Sequence, residues 1–195
     1  MTLLILGLAI FLGIHGFSMA RAARQRLIDQ IGPLGFRGLY SVVSFIGFGL
    51  IVYGYGEYRA AGAILVWSPP RSMSHLAAAL MLPVFVLFVA SNVYAKGGWI
   101  KARTKHPLFL AIKLWATAHL FANGDLGSML LFGGFLAWAV IARIAVKRRE
   151  LVEGAPDRSA GFGLMDAVAL GAGVALYVVF ALWLHPWLIG VPVFG

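Results

Sequence analysis

Five histidines, His15, His75, His106, His119 and His185, carry most of the chemical capacity of this chain. Neutral imidazole in an apolar setting binds a metal or the iron of a b-type haem. The chain has no cysteine, so disulfides, thiolate ligands, iron-sulfur clusters and thioether-linked haem are excluded. Acidic residues number seven. Asp29, Glu57, Glu150, Glu153 and Asp157 are expected in solvated loops or at their edges. Asp125 is expected to cap the helix that follows it, and Asp166 lies near the start of the last span. There is no glycine-rich phosphate loop, no His-Glu-x-x-His and no serine nucleophile elbow, so nucleotide, zinc-hydrolase and serine-hydrolase chemistry have no support. A pair of histidines holding haem b is the chemistry these residue types allow. Two sets are open: His15 with His119, each about five residues inside an apolar span, or the outer group His75, His119 and His185. Arg21, Arg24, Lys105 and Lys113 are basic side chains able to meet haem propionates.

The elements that must position these residues are set by composition. Of 195 residues, 61% are hydrophobic and only 12% charged, and mean hydropathy is +0.89. A soluble fold of this size leaves roughly 30% of its unfolded surface wet, too much to hide so apolar a chain from water. The sequence therefore predicts an all-α polytopic membrane bundle, treated as one domain over 1-195, with no internal repeat.

The predicted spans are 2-20, 38-55, 75-94, 107-123, 126-146 and 161-188. The fourth is the most informative. Lys105-His106-Pro107 opens it, because proline at a first helical position is preorganised and gives up no needed N–H. Asn123-Gly124-Asp125 closes it with a turn signal. Lys113 and His119 lie between, at membrane depth, where ionisable groups are costly and usually functional. In the first span Gly13 and Gly16 flank His15, and small neighbours permit close approach by a helix or a flat ligand. Pro83 is expected to kink the third span. A basic loop to Arg37, a longer loop from 56 to 74 and a polar loop from 150 to 160 complete the reading.

Charge orients the spans. The segments after spans one, three and five hold thirteen of the sixteen basic residues: Arg21, Arg24, Arg26 and Arg37, then Lys96, Lys101, Arg103 and Lys105, then Arg143, Lys147, Arg148, Arg149 and Arg158. By the positive-inside rule both termini are then outside. The positive charges follow the first apolar run, so it is expected to be an uncleaved helix and not a signal peptide. The net charge of +9 is a topology signal with some attraction for anionic lipid, and nucleic acid is not an expected partner. In straight, centred spans His15 and His119 would differ in height by on the order of 12 Å, so sharing one iron requires a tilted ring plane or a vertical shift.

FLGIHG in the first span, KHPLFLAIKLWATAHLFANGDLGSMLLFGGFLAWA through the fourth and fifth, and LHPWLIGVP at the end resemble the NnrU family of bacterial membrane proteins. The resemblance covers nearly the whole chain. It implies a multi-pass protein of the bacterial inner membrane, associated with nitrite and nitric oxide reduction. More distantly the pattern is similar to plant 15-cis-zeta-carotene isomerase, a haem b membrane enzyme. That similarity implies His15 and His119 as axial ligands of a bis-histidine haem b, with His106 in support. Where the isomerase has a cysteine three residues before its second ligand, this chain has Ala116, so redox-dependent exchange to a thiolate is impossible here.

Three functions follow as expectations. One is a haem b protein in redox chemistry or sensing for nitrogen respiration, with a redox partner. The second is a cis-trans isomerase of a polyene or other lipidic substrate reached from the bilayer. The third is a cofactor-free assembly subunit whose histidines bond between helices. The 24 glycines supply close helix contacts within a protomer or between protomers.

Overall fold

The computed structural model describes residues 1–93, 98–154 and 159–194. Helices run over Thr2–Phe17 (α1), Arg21–Ala60 (α2), Arg71–Val93 (α3), Trp99–Thr104 (α4), Pro107–Ala122 (α5), Leu126–Glu153 (α6) and Leu164–Val179 (α7). A wide π-turn over Phe180–Leu184 then leads into the short helix His185–Ile189 (α8). The described residues contain no strand, only an isolated antiparallel bridge between Leu65 and Asp125. Four segments are long and apolar enough to cross a membrane: Arg21–Ala60, Arg71–Val93, Leu126–Glu153 and Leu164–Ile189. Two shorter apolar helices, α1 and α5, have 16 residues each.

By contacts the chain divides into two compact units, one of 1–67 with 124–145 and one of 68–123 with 146–195. In the first, Leu4 and Leu8 of α1 and Ile51 of α2 are buried together, with Leu131 and Phe135 of α6 against them. The α1–α2 contact is close because glycine backbones meet it. A Cβ on Gly47 would lie 2.7 Å from the Phe11 nitrogen, and one on Gly7 2.6 Å from the Ile51 nitrogen. At the far end of this hairpin the Val66 N–H donates to the Gly124 carbonyl at 2.8 Å and the Leu126 N–H to the Ile64 carbonyl at 2.9 Å. Asp125 caps α6 as its type and place foretell: Oδ1 accepts from the Ser128 N–H at 2.9 Å. The Ser128 hydroxyl donates to Asp125 Oδ2 at 2.5 Å and meets the Tyr55 hydroxyl at 2.7 Å.

The second unit is built on α3. Val84, Leu87 and Ala90 pack with Ile100, Ala111 and Ala169, and a Cβ on Gly173 of α7 would stand 2.5 Å from the Val86 Cα. The Tyr177 hydroxyl donates to the Ala78 carbonyl at 3.0 Å. Asp166, 1% exposed, joins two helix starts. Its carboxylate accepts from the Gly163 N–H at 2.9 Å, closing one half of a capping box on α7, and from the Ile100 and Trp99 N–H groups at 2.9 and 3.2 Å. An anion at two N-termini satisfies orphan donors and both helix dipoles together.

Three expectations need correction. The basic stretch before the second span is helical, not a loop: α2 begins at Arg21 and is broken only at Gly32, with φ 75° and ψ 163°. Glycine takes that left-handed φ without strain and Pro33 restarts the helix, while the Arg24 guanidinium lies 5.4 Å from the Phe36 ring centre and ties the two parts. The polar stretch around Glu150 is helical too, since α6 runs to Glu153. The loop expected over 56–74 is shorter at both ends, because α2 continues to Ala60 and α3 begins at Arg71. Pro83 lies inside α3, which is continuous from Arg71 to Val93. Asp157 and Arg158, and Lys96 of the basic segment after the third span, lie outside the described residues.

Candidate functional site

His15 stands in the last turn of α1. Its Nδ1 donates to the Phe11 carbonyl, four residues back, at 2.7 Å. A carbonyl only accepts, so the neutral ring is the Nδ1–H tautomer and Nε2 holds the lone pair. Aromatic rings from three helices surround it, with centroids at 4.2 Å for Phe11, 5.3 Å for Tyr40 and 5.8 Å for Trp138. Beside it a hollow of about 270 Å³ opens along α1 and α2, its walls formed by Phe11, Tyr40, Ser41, Ser44, Phe45 and Phe48 together with His15 itself. Gly13 and Gly16 do not bring a helix close. Among the described residues a Cβ on Gly13 would meet nothing within 4 Å, and one on Gly16 only the tip of Met19.

His119, half-buried in the last turn of α5, has the same local arrangement in the other unit. Its Nδ1 donates to the Trp115 carbonyl at 2.8 Å, and the Trp115 ring is 5.4 Å away. Asn123 caps the helix by donating through Nδ2 to the His119 carbonyl at 2.8 Å. His185 lies within electrostatic range of His119, and its own Nδ1 donates to the Val191 carbonyl at 2.7 Å. Three of the five rings therefore present Nε2 as the basic nitrogen, the form in which imidazole binds iron. Among the described residues no three His, Asp or Glu side chains gather into a metal-ion cage; an axial haem ligand needs no such cage.

His106 differs. It is the N-cap residue of α5, with Pro107 at the first helical position as foretold. Its Nε2 is 2.7 Å from Glu150 Oε1, the two side chains being 25% and 15% exposed. Nε2 thus carries the proton and His106 is engaged in an ion pair or charge-assisted bond that fixes the start of α5. His75, in the second turn of α3, is exposed. Lys113, half-buried in the middle of α5, makes no hydrogen bond or ion pair among the described residues. Lys105 ends α4 at φ 65°, a strained value for a side-chain-bearing residue, and is exposed, as is Arg21 at the start of α2.

The structure gathers Tyr40, Ser44 and Trp138 around His15, none of which the sequence reading singled out. A polar pair four residues apart, Tyr40 and Ser44, inside an apolar helix was the available signal, because such a pair shares one face.

The sequence profile described as NnrU protein matches residues 3–193. The chain belongs to the NnrU family. No curated protein and no solved structure matches it. In this NnrU protein the motif residues His15, His106 and His119 all fall within the matched span, each on a helix end and each with its ring held by a short hydrogen bond.

Proposed function

We propose that this NnrU protein binds haem b in the bacterial inner membrane, with His15 and His119 as axial ligands, and serves redox chemistry or sensing linked to nitrite and nitric oxide respiration. The carrying observation is the matched tautomer of these two rings. In each, Nδ1 donates to the carbonyl four residues earlier, which fixes ring rotation and leaves Nε2 basic, as second-shell bonds do for metal-binding histidines. Lys113 adds support: an ammonium at membrane depth without an anion among the described residues is suited to a propionate, and Arg21 and Lys105 are further basic groups for the same role. His106, held by Glu150, keeps the start of α5 in place. The bound group would supply a one-electron iron couple within the lipid phase, in exchange with an electron partner.

In this reading α1 and α5 also span, which makes six crossings with both termini outside. Helices of 16 residues are somewhat short for the hydrocarbon layer and are accommodated by local thinning and by flanking residues.

The optical spectrum of the purified protein in both redox states tests this. A Soret band lost in His15→Ala and in His119→Ala, and kept in His75→Ala and His185→Ala, is the expected result. A pure protein with no Soret absorption after haem supplementation ends the proposal, and loss in His185→Ala with retention in His15→Ala moves the iron to the outer histidines.

A further inference from the structure

We propose that the hollow beside His15 is a lateral binding site for the head of an isoprenoid quinone. It runs along the antiparallel α1–α2 pair and is graded in polarity. One end has His15, Tyr40, Ser41 and Ser44; the other, up to about 12 Å along α2 at 1.5 Å per residue, has Phe11, Phe45 and Phe48. The polar end is next to the basic turn that begins at Arg21, so an occupant lies with its head toward the membrane surface and its tail toward the bilayer centre. Phe45 and Phe48 are 76% and 54% exposed, leaving a flat aromatic wall open to lipid.

Three observations select the occupant. The Ser44 hydroxyl is buried at this site with the Tyr40 hydroxyl as its polar neighbour and no other hydrogen-bond partner among the described residues; when one hydroxyl of such a pair donates to the other, one O–H is left over, and a carbonyl acceptor on a ligand would satisfy it. No Lys, Arg, Asp or Glu forms the walls, which argues against a phosphate headgroup and for a neutral one. The volume of about 270 Å³ is below the usual range of drug-sized pockets and suits one substituted ring. A neutral, flat, carbonyl-bearing ring on a long apolar tail meets all three. Only binding is proposed; it requires no iron and uses neither Nε2 of His15 nor any residue of the second unit.

The test is titration of the full-length protein in nonionic detergent with decylubiquinone, read by quenching of tryptophan fluorescence, since Trp138 adjoins His15. Saturable quenching is expected, with Kd raised about 5- to 10-fold in Ser44→Ala, the effect of one hydrogen bond. Phe45→Ala, at an exposed position, should also weaken binding while leaving the protein monodisperse. Equal binding of a decyl-chain benzene without carbonyls, equal affinity in both variants, or complete displacement by an equimolar anionic phospholipid would each overturn the proposal. Absence of a Soret band would leave the quinone result unchanged, so this site and the haem reading fail separately.

Discussion

His106 Nε2 and Glu150 Oε1 meet at 2.7 Å, which fastens the N-cap residue of α5 to the last turn of α6. The pair spans 44 positions of sequence and is mostly shielded, at 25% and 15% exposure. Removing one partner leaves the other desolvated, at a cost of roughly 1–3 kcal/mol. For a chain of this length that corresponds to a melting temperature lower by about 2–12 °C. Glu150→Gln, which keeps an acceptor, should lose less than Glu150→Ala when both are followed by thermal scanning in detergent. Equal Tm in wild type and Glu150→Ala would show the contact to be without weight.

Asp166 should be the least replaceable carboxylate. Its loss strips acceptors from the N–H groups of Trp99, Ile100 and Gly163 at once. Asp166→Ala is expected to lower the yield of monodisperse protein severely, and Asp166→Asn less so, because an amide oxygen still accepts but without charge. Fluorescence-detected size exclusion compares the two directly. Normal yields from both would mean that α4 does not depend on this carboxylate.

Two glycines separate packing from flanking sequence. Gly173→Ala places a methyl group against the Val86 backbone, while Gly13→Ala meets nothing among the described residues. The first should destabilise by about 1–3 kcal/mol through forced separation of α3 and α7. The second should be neutral or slightly stabilising, because alanine is the better helix former. Matching thermal curves for the two variants would contradict the close approach.

Topology is checked by reporter fusions. Alkaline phosphatase joined after Gly195 should be active and a fluorescent protein at the same point dark, as an outside C-terminus requires. The reverse pattern would require an odd number of crossings or inverted orientation.

Much of this was open to reading from local signals. Pro107 marks the start of α5, Asp125 caps α6, and apolar runs flanked by basic residues mark the long helices. His15 and His119 stood out because an ionisable ring is unusual inside an apolar run. What local signals could not supply was partnership across the chain. Asp166 bonds to residues 66 and 67 positions away, and Tyr40 reaches His15 only after α1 and α2 fold together. The extent of α2 and α6 was missed for a different reason. Arginine and glutamate stretches resemble solvated loops by charge, yet both residues are good helix formers, and Gly32-Pro33 breaks α2 without ending it.

The π-turn over Phe180–Leu184 precedes Pro186, whose missing N–H and bulky ring are incompatible with regular α bonding to the turn before it. In effect it accommodates one surplus residue spliced into the terminal helix. Excising a single residue there would shorten this arm by about 1.5 Å and swing everything beyond it through about 100°, turning the His185 imidazole and the Val191 carbonyl that anchors it together away from their present direction. The azimuth of the last histidine is therefore set by a length mismatch in the chain ahead of it.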